Sequence, residues 1–365
     1  MTDISNIQLG NTSNIVLYAD DIGLTVAAAR PRTAHSGIEI YLDSLKAWAK
    51  AYELEFSPTK SQLLSLKGGL MPGYSVGFGS GENDARIVAE VTAKYLGVIL
   101  DPRESFWDHV SSLKTKSEGM YRRLRQMTSA NWGMGRAAAK VIYEVVFLPR
   151  ITYAAEIWAE GGCTLKKSIA ALGSMQREPL RAITSSYKTA STNCLSVVAG
   201  VLPLDLEVRR VEQKCRIRAG GITSEEYNLG LSALMEEWLV RYDAVDKGEW
   251  TKFMIPDVAR RCGLTLELDH YTTQFLTGHR DFRSKLYSFK LQPNPNCVCG
   301  NGAETVRHVL LTCTRTRGFR EKLIAAMTEE GVAWPPESGA FLSTRKTYEA
   351  LKRFSKNSLQ NRTDR

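Results

Sequence analysis

The first residues, Met1–Asn11, have neither a cationic start nor an apolar core, so no secretory leader is expected there. No apolar run is long enough to cross a bilayer. The nearest candidate, Val141–Ala155, is interrupted by Glu144, Pro149 and Arg150. The seven cysteines are an odd number scattered through 365 residues, which argues against a disulfide framework and for reduced thiols in an intracellular protein. A nucleophile elbow and a phosphate-cradling glycine loop are both missing, and the Ser, Asp and His residues show no hydrolase arrangement. Acidic residues are scarce at the start, where Asp3 alone precedes Asp20.

What is present is ordinary for a globular protein, with 43% hydrophobic and 24% charged residues and length enough for two or three cores. The formal charge of +9 points mildly to a polyanionic partner. The most informative stretch runs from Asn14 to Val26. Two β-rich runs, Ile15–Tyr18 and Ile22–Val26, flank the adjacent carboxylates of Asp20 and Asp21. Neighbours on a flat strand point to opposite faces, so the pair can converge on one ligand only at a bend, which a hairpin tip supplies. Side-by-side carboxylates repel, and a hard divalent cation relieves that repulsion. The chemistry this points to is metal-assisted phosphoryl transfer, with two ions roughly 3.5–4 Å apart. Taken alone, Tyr18-Ala19-Asp20-Asp21 also reads as a solvated turn.

Ser36–Glu55 reads as an amphipathic helix, with Ile38, Leu42, Leu45, Trp48 and Tyr52 on one face and Ser36 as N-cap ahead of Glu39. Pro58–Ser61 leads into a strand over Gln62–Leu66, and Tyr74–Gly79 with Ala85–Val91 reads as a hairpin. Tyr95–Leu100 reads as a strand in which Gly97 permits close backbone approach. From Ser105 to Trp158 the period is helical. Leu113, Met120, Leu124 and Met127 form an apolar stripe, while Lys114, Lys116, Arg122, Arg123 and Arg125 form a basic face suited to phosphates. A helix over Arg136–Phe147 is expected to stop before Pro149, and Leu165–Ser186 and Leu204–Ala219 are further helices. Cys163, Cys194, Cys215 and Cys262 lack ligand spacing and read as buried inert thiols.

The second informative stretch holds Cys297, Cys299, His308 and Cys313: Cys-x-Cys, eight residues, His, four residues, Cys. Three thiolates and an imidazole suit a closed tetrahedral Zn²⁺ site, although the first gap is shorter than is common. On an ideal helix, positions 308 and 313 lie roughly 140° apart, so a helix through Glu304–Leu311 must end near Thr312. His270 and His279 are not required as ligands and are expected to hydrogen-bond locally. Arg345–Arg365 is strongly basic and reads as a helix fading into a disordered tail.

Three motifs in order carry a resemblance. Tyr18-Ala19-Asp20-Asp21 resembles the metal-binding hairpin of reverse transcriptases, Leu54–Ser61 their lysine-bearing motif, and Lys94–Asp101 the hairpin that grips the primer end. With Leu276-Thr277-Gly278-His279 and the Cys/His cluster, the chain resembles the carboxyl-terminal part of a non-long-terminal-repeat retrotransposon polyprotein, in particular type-1 elements inserting into arthropod ribosomal DNA.

The resemblance implies an α+β fold: the carboxyl half of a palm (antiparallel sheet with helices) over 1–103, a helical thumb over 104–200 and a helical linker over 201–273. A small zinc module over 274–320 and a basic tail over 321–365 would follow. It also implies RNA-directed DNA polymerase activity. Asp20 and Asp21 would hold Mg²⁺ (two ions with the complete palm), Lys60 would protonate the leaving group, and Tyr95, Leu96, Gly97 and Val98 would seat the primer. Its partners would be an RNA template, a DNA primer and deoxynucleoside triphosphates, and its place the nucleus at the site of integration. The family's further metal-binding aspartate lies on an earlier strand that nothing before Asp20 matches, so a truncated element or the tail of a longer frame is expected. The competing reading is a nucleic-acid-binding remnant that keeps the zinc module but not catalysis.

Overall fold

The computed structural model describes residues 13–66, 73–78, 85–127, 136–279 and 282–360. They form a helix-rich α+β chain that divides between His109 and Val110 into two compact units.

In the first unit, β1 (Ser13–Tyr18) and β2 (Asp21–Val26) pair antiparallel with Tyr18 opposite Asp21. A helix, Pro31–Ala51, follows. It starts five residues before the expected cap because Pro31 sits in its first turn, where a missing N–H costs nothing and φ is already helical. Ser36 is therefore interior, and its hydroxyl donates back to the Arg32 carbonyl at 3.2 Å. Next come β3 (Leu63–Leu64), β4 (Ser75–Gly77) and β5 (Arg86–Glu90), in the order β3-β5-β4. The β3 pairing is parallel and the β4 pairing antiparallel. The tip expected between Tyr74–Gly79 and Ala85–Val91 lies outside the described residues. Leu42 and Leu45 of the helix pack with Val76, Phe78 and Ile87 of the sheet, and Ile15 and Ile22 of the first hairpin join this core. Burying apolar surface at roughly 25 cal/mol per Å² is what holds so small a sheet together.

Tyr95–Leu100 is not one strand. β6 (Ala93–Tyr95) and β7 (Val98–Leu100) pair with Tyr95 opposite Val98, so Leu96 and Gly97 are the turn. Both have positive φ, 44° and 89°, as a tight hairpin of this hand requires.

The second unit is helical. The helix Arg136–Ile142 does not end before Pro149. It widens into a π turn, Tyr143–Phe147, and resumes as Leu148–Ile151 with the proline in its first turn. A wide turn of this kind absorbs a residue that cannot donate to the ladder. The helices expected over Leu165–Ser186 and Leu204–Ala219 span Lys166–Thr184 and Leu204–Arg218. Cys163 and Cys194 are buried, and burial pushes the Cys163 thiol up to about 12. Cys215, by contrast, is half-buried and Cys262 exposed.

One apolar core joins residues far apart in sequence, among them Val197, Leu206, Trp238, Phe275, Val309, Leu310, Leu323, Leu351 and Phe354. The segment expected as a basic tail is thus, as far as Gln360, a packed helix (Arg345–Gln360) that buries Tyr348, Leu351, Phe354 and Leu359. The stretch holding the Cys/His cluster contributes Val306, Val309 and Leu310 to the same core.

Basic residues of the helix Leu204–Arg218 are partly committed to structure. Arg209 reaches Glu237 at 2.6 Å, Arg210 reaches Glu207 at 2.6 Å, and Arg241 bridges the buried Asp205 at 2.5 Å and Glu237. Removing one partner strands a charge away from water. Arg241→Ala is therefore expected to destabilise the protein by about 3 kcal/mol, the low end for such a pair because Arg241 keeps some contact with solvent. Arg241→Lys should restore part of the loss. Urea unfolding that leaves the Arg241→Ala midpoint unchanged would show that Asp205 is already solvated.

Candidate metal-binding sites

The β1–β2 register leaves Ala19 and Asp20 as a two-residue turn, with Asp21 the first residue of β2. Ala19 takes φ 53°, a left-handed conformation that a non-glycine residue adopts at some cost. Asp20 and Asp21 are both exposed at this tip, facing water and any ligand held there. Two residues on, Gly23 has a packing role. A side chain there would meet the Tyr95 hydroxyl at 3.2 Å and its ring carbon at 3.4 Å, so β2 lies directly against Tyr95. The hydroxyl itself is buried, with no hydrogen-bond partner among the described residues.

Lys60 closes a 3₁₀ turn, Pro58–Lys60, and is exposed. The next residue but one ties this loop to β6, since the Gln62 side-chain carbonyl accepts from the Lys94 N–H at 2.9 Å. Contacts through Tyr95 and Lys94 thus join the Asp20–Asp21 tip and the Lys60 loop to the same hairpin. No third Cys, His, Asp or Glu gathers with Asp20 and Asp21 into a ligand cluster among the described residues. Two carboxylates suffice for one Mg²⁺, which keeps several waters and completes its shell with substrate phosphates.

Asp101, at the end of the third motif, has a structural task that the sequence did not disclose. Its buried carboxylate accepts from the backbone N–H groups of Arg103 (3.0 Å), Ser105 (3.2 Å) and Phe106 (2.6 Å). It thereby shapes the approach to the helix Trp107–Met127. On that helix Lys114 is half-buried and Lys116 exposed, while the side chains of Arg122, Arg123 and Arg125 lie outside the described residues.

The Cys/His stretch folds from the loop inward. Gly300 and Gly302, with φ of 80° and 98°, allow a tight knuckle closed by the Cys297 N–H on the Gly302 carbonyl at 2.8 Å. Thr305 caps the helix Val306–Leu311, accepting from the His308 N–H at 3.0 Å. The helix ends at Leu311, as the ligand spacing demands, and Thr312 leaves helical geometry so that Cys313 can turn back.

The four ligand atoms of Cys297, Cys299, His308 and Cys313 all lie within 4.8 Å of one another. Cys297 Sγ is 3.7 Å from Cys313 Sγ, and Cys299 Sγ is 3.2 Å from His308 Nε2. With Zn–S bonds of about 2.3 Å, a tetrahedron has an S···S edge of about 3.8 Å, so the donor set fits zinc in both identity and spacing. His308 Nδ1 sits 3.1 Å from Thr312 Oγ1, which also faces the His308 carbonyl at 3.3 Å. With Nε2 turned to the sulfurs, Nδ1–H donates to the hydroxyl and fixes the ring. Burial works against ionising Cys299, but the Asn301 N–H and the facing cluster groups outweigh it and bring the thiol down to about 6. Burial pushes Cys297 up to about 12.

His270 and His279 stand outside this cluster, and while the His279 backbone N–H bonds locally to Thr277 Oγ1 at 3.3 Å, their rings reach across the fold. His270 Nδ1 donates to the Ser185 carbonyl at 3.0 Å, and His279 Nδ1 lies 3.2 Å from Thr189 Oγ1. Burial, and then Lys285, hold His279 down at about 4. Between its ordinary value of 6.5 and about 4, the unfolded chain takes up a proton that the folded chain refuses. Its contribution to stability is therefore complete above pH 6.5 and erodes as pH falls toward 4. His279→Gln should shrink the difference in urea midpoint between pH 7 and pH 4.5. An equal drop in both proteins would show that His279 does not sense this window.

Comparison with known proteins gives a consistent group. The "Retrovirus-related Pol polyprotein from type-1 retrotransposable element R1 4" of Nasonia vitripennis is 30% identical over 283 residues, 73% of this chain and 71% of its own length. The corresponding R1 polyprotein of Bradysia coprophila is 30% identical over 328 residues, 84% of this chain but 32% of its own length. A "Probable RNA-directed DNA polymerase from transposon BS" of Drosophila melanogaster is 27% identical over 207 residues, 55% of this chain and 21% of its own length. No family model and no solved structure matches the chain.

Proposed function

Since this chain belongs to the family of Pol polyproteins of type-1 R1 retrotransposable elements, we propose that it forms part of an RNA-directed DNA polymerase that copies retrotransposon RNA onto a primer 3′ end. The observation that carries the reading is the contact of Gly23 on Tyr95. It sets the strand bearing Asp21 against the hairpin whose sequence matches the primer grip.

In this reading the primer 3′ oxygen forms a bond to the α-phosphorus of a deoxynucleoside triphosphate as the bond to pyrophosphate breaks. Asp20 and Asp21 hold Mg²⁺ at the turn. When bound, Mg²⁺ supplies charge neutralisation at the reacting oxygens, and two ions are expected with a complete palm. Lys60 holds a proton where departing pyrophosphate takes it up. Tyr95, Leu96, Gly97 and Val98 seat the primer end, and the turn at Leu96-Gly97 presents backbone rather than bulk. Lys114, Lys116, Arg122, Arg123 and Arg125 meet duplex phosphates along one helix. Cys297, Cys299, His308 and Cys313 hold a structural Zn²⁺. The place of action is the nucleus, at the site of integration.

The test is primer extension on an RNA template. With no third carboxylate gathered at the turn among the described residues, the chain by itself is expected not to extend the primer. With the upstream part of the Bradysia polyprotein joined to it, extension is expected. If the joined protein binds primer–template yet extends nothing, the chain is a binding module and not part of a polymerase.

A further inference from the structure

Between the capped helix ending at Gly278 and the zinc knuckle, the chain makes a turn with an unusual surface. The helix Arg283–Ser288 runs out into a loop closed by the Leu291 N–H on the Leu286 carbonyl at 2.9 Å. Tyr287, Phe289 and Leu291 stand exposed on this turn at 49%, 42% and 69%, and Val298 of the knuckle at 51%. The turn and the knuckle are stitched together, because the Ser284 N–H and hydroxyl both donate to the Glu304 carbonyl, at 3.2 and 2.8 Å. The Lys285 ammonium lies 5.1 Å over the Phe289 ring, and Lys290 is exposed beside it. No acidic residue occurs from Phe282 to Ala303, and Glu304 is buried near Arg283. A zinc-loaded Cys₃His cluster carries one net negative charge, which Lys285, Lys290 and the exposed Arg307 exceed.

We infer that the turn 285–291 is a stacking platform for unpaired bases of single-stranded nucleic acid. Tyr287 and Phe289 offer ring faces, and Lys285 and Lys290 meet the flanking phosphates. Exposed aromatic side chains beside lysines suit a ligand that is apolar on its base planes and anionic along its backbone. The inference deepens the nucleic-acid reading above and rests on it, but it requires no catalysis.

The experiment uses the full chain loaded with zinc and three fluorescein-labelled probes: a twelve-nucleotide thymidine strand, an abasic strand of equal length and a blunt duplex. Tyr287→Ala/Phe289→Ala is expected to weaken thymidine-strand binding about thirtyfold or more. The abasic strand and the duplex should change far less. Tyrosine fluorescence of the wild type should be quenched by the thymidine strand and not by the abasic one. Both side chains are exposed, so zinc content and unfolding midpoint should stay as in the wild type, and a loss of either would be corrected for with Phe289→Tyr, which should retain binding. Equal binding of thymidine and abasic strands, or no effect of the double substitution, overturns the platform while leaving the nucleic-acid reading standing. No binding of any probe overturns both. A concentration-dependent dimer abolished by the double substitution would assign the patch to a second copy of the chain and likewise overturn the proposal.

Discussion

Asp20→Ala in the joined polymerase is expected to cut primer extension by about a thousandfold or more. A metal held against a transferring phosphoryl group contributes several kcal/mol to the transition state, and each 1.36 kcal/mol is tenfold in rate. The tip of the β1–β2 hairpin offers two carboxylates and no third among the described residues, so no neighbour can take over from Asp20. Asp21→Ala should cost about as much, and the double variant little more, since groups acting as one unit are far from additive. Binding of primer–template should survive, because the basic helix and the hairpin around Tyr95 are untouched. Extension that persists in Asp20→Ala places the catalytic centre elsewhere. Losses that simply multiply in the double variant mean that Asp20 and Asp21 work independently.

The second large effect concerns zinc. One ion per chain is expected, and Cys297→Ser or Cys313→Ser should abolish it, since both thiols are buried and no spare ligand joins the cluster among the described residues. Structural zinc supplies roughly 10–16 kcal/mol of apparent binding free energy in small modules, all of it coupled to folding. The loss should not stay within the knuckle. Val306, Val309 and Leu310 follow directly from it and pack in the common core with Leu351 and Phe354, so loosening the helix Val306–Leu311 should lower the stability of the whole second unit. The first unit has its own core around Leu42, Leu45 and Ile87, and its strands should keep their amide protection. Hydrogen exchange on zinc-free and zinc-loaded protein measures both. Full zinc occupancy in Cys313→Ser, or fast exchange confined to the knuckle, would refute this account.

The parts that were legible in the sequence share one property, which is that their physics is local. A turn between two β-rich runs places Asp20 and Asp21, and ligand spacing assembles Cys297, Cys299, His308 and Cys313 and even sets the end of the helix at Leu311. The errors arise where a local rule has a competitor. Ser36 reads as a cap, but Pro31 is the stronger start signal. Pro149 reads as a stop, but a π turn accommodates it. Tyr95–Leu100 reads as one strand because β-formers stand on both sides of Gly97, whose turn signal was taken as room for close approach; the pairing of Tyr95 with Val98 shows the turn that the family resemblance implied. Beyond local reach the sequence is silent. Nothing in it pairs Arg209 with Glu237 or Arg241 with Asp205, 28 and 36 positions away. The carboxyl-terminal helix was expected but its packing was not: Tyr348, Leu351, Phe354 and Leu359 recur at helical steps, and the density of lysine and arginine hid that buried face.

The core of the second unit has a consequence for synthesis. It closes around residues from Val197 to Leu359, and the helix Arg345–Gln360 that plugs it leaves the ribosome after everything it covers. At roughly 5–20 residues per second, Val197, Leu206 and Trp238 wait about 10–30 s with their apolar faces uncovered. Through that interval the nascent helices are exposed to chaperones and to one another, whereas the first unit has all its core residues early and can fold while the rest is still being made.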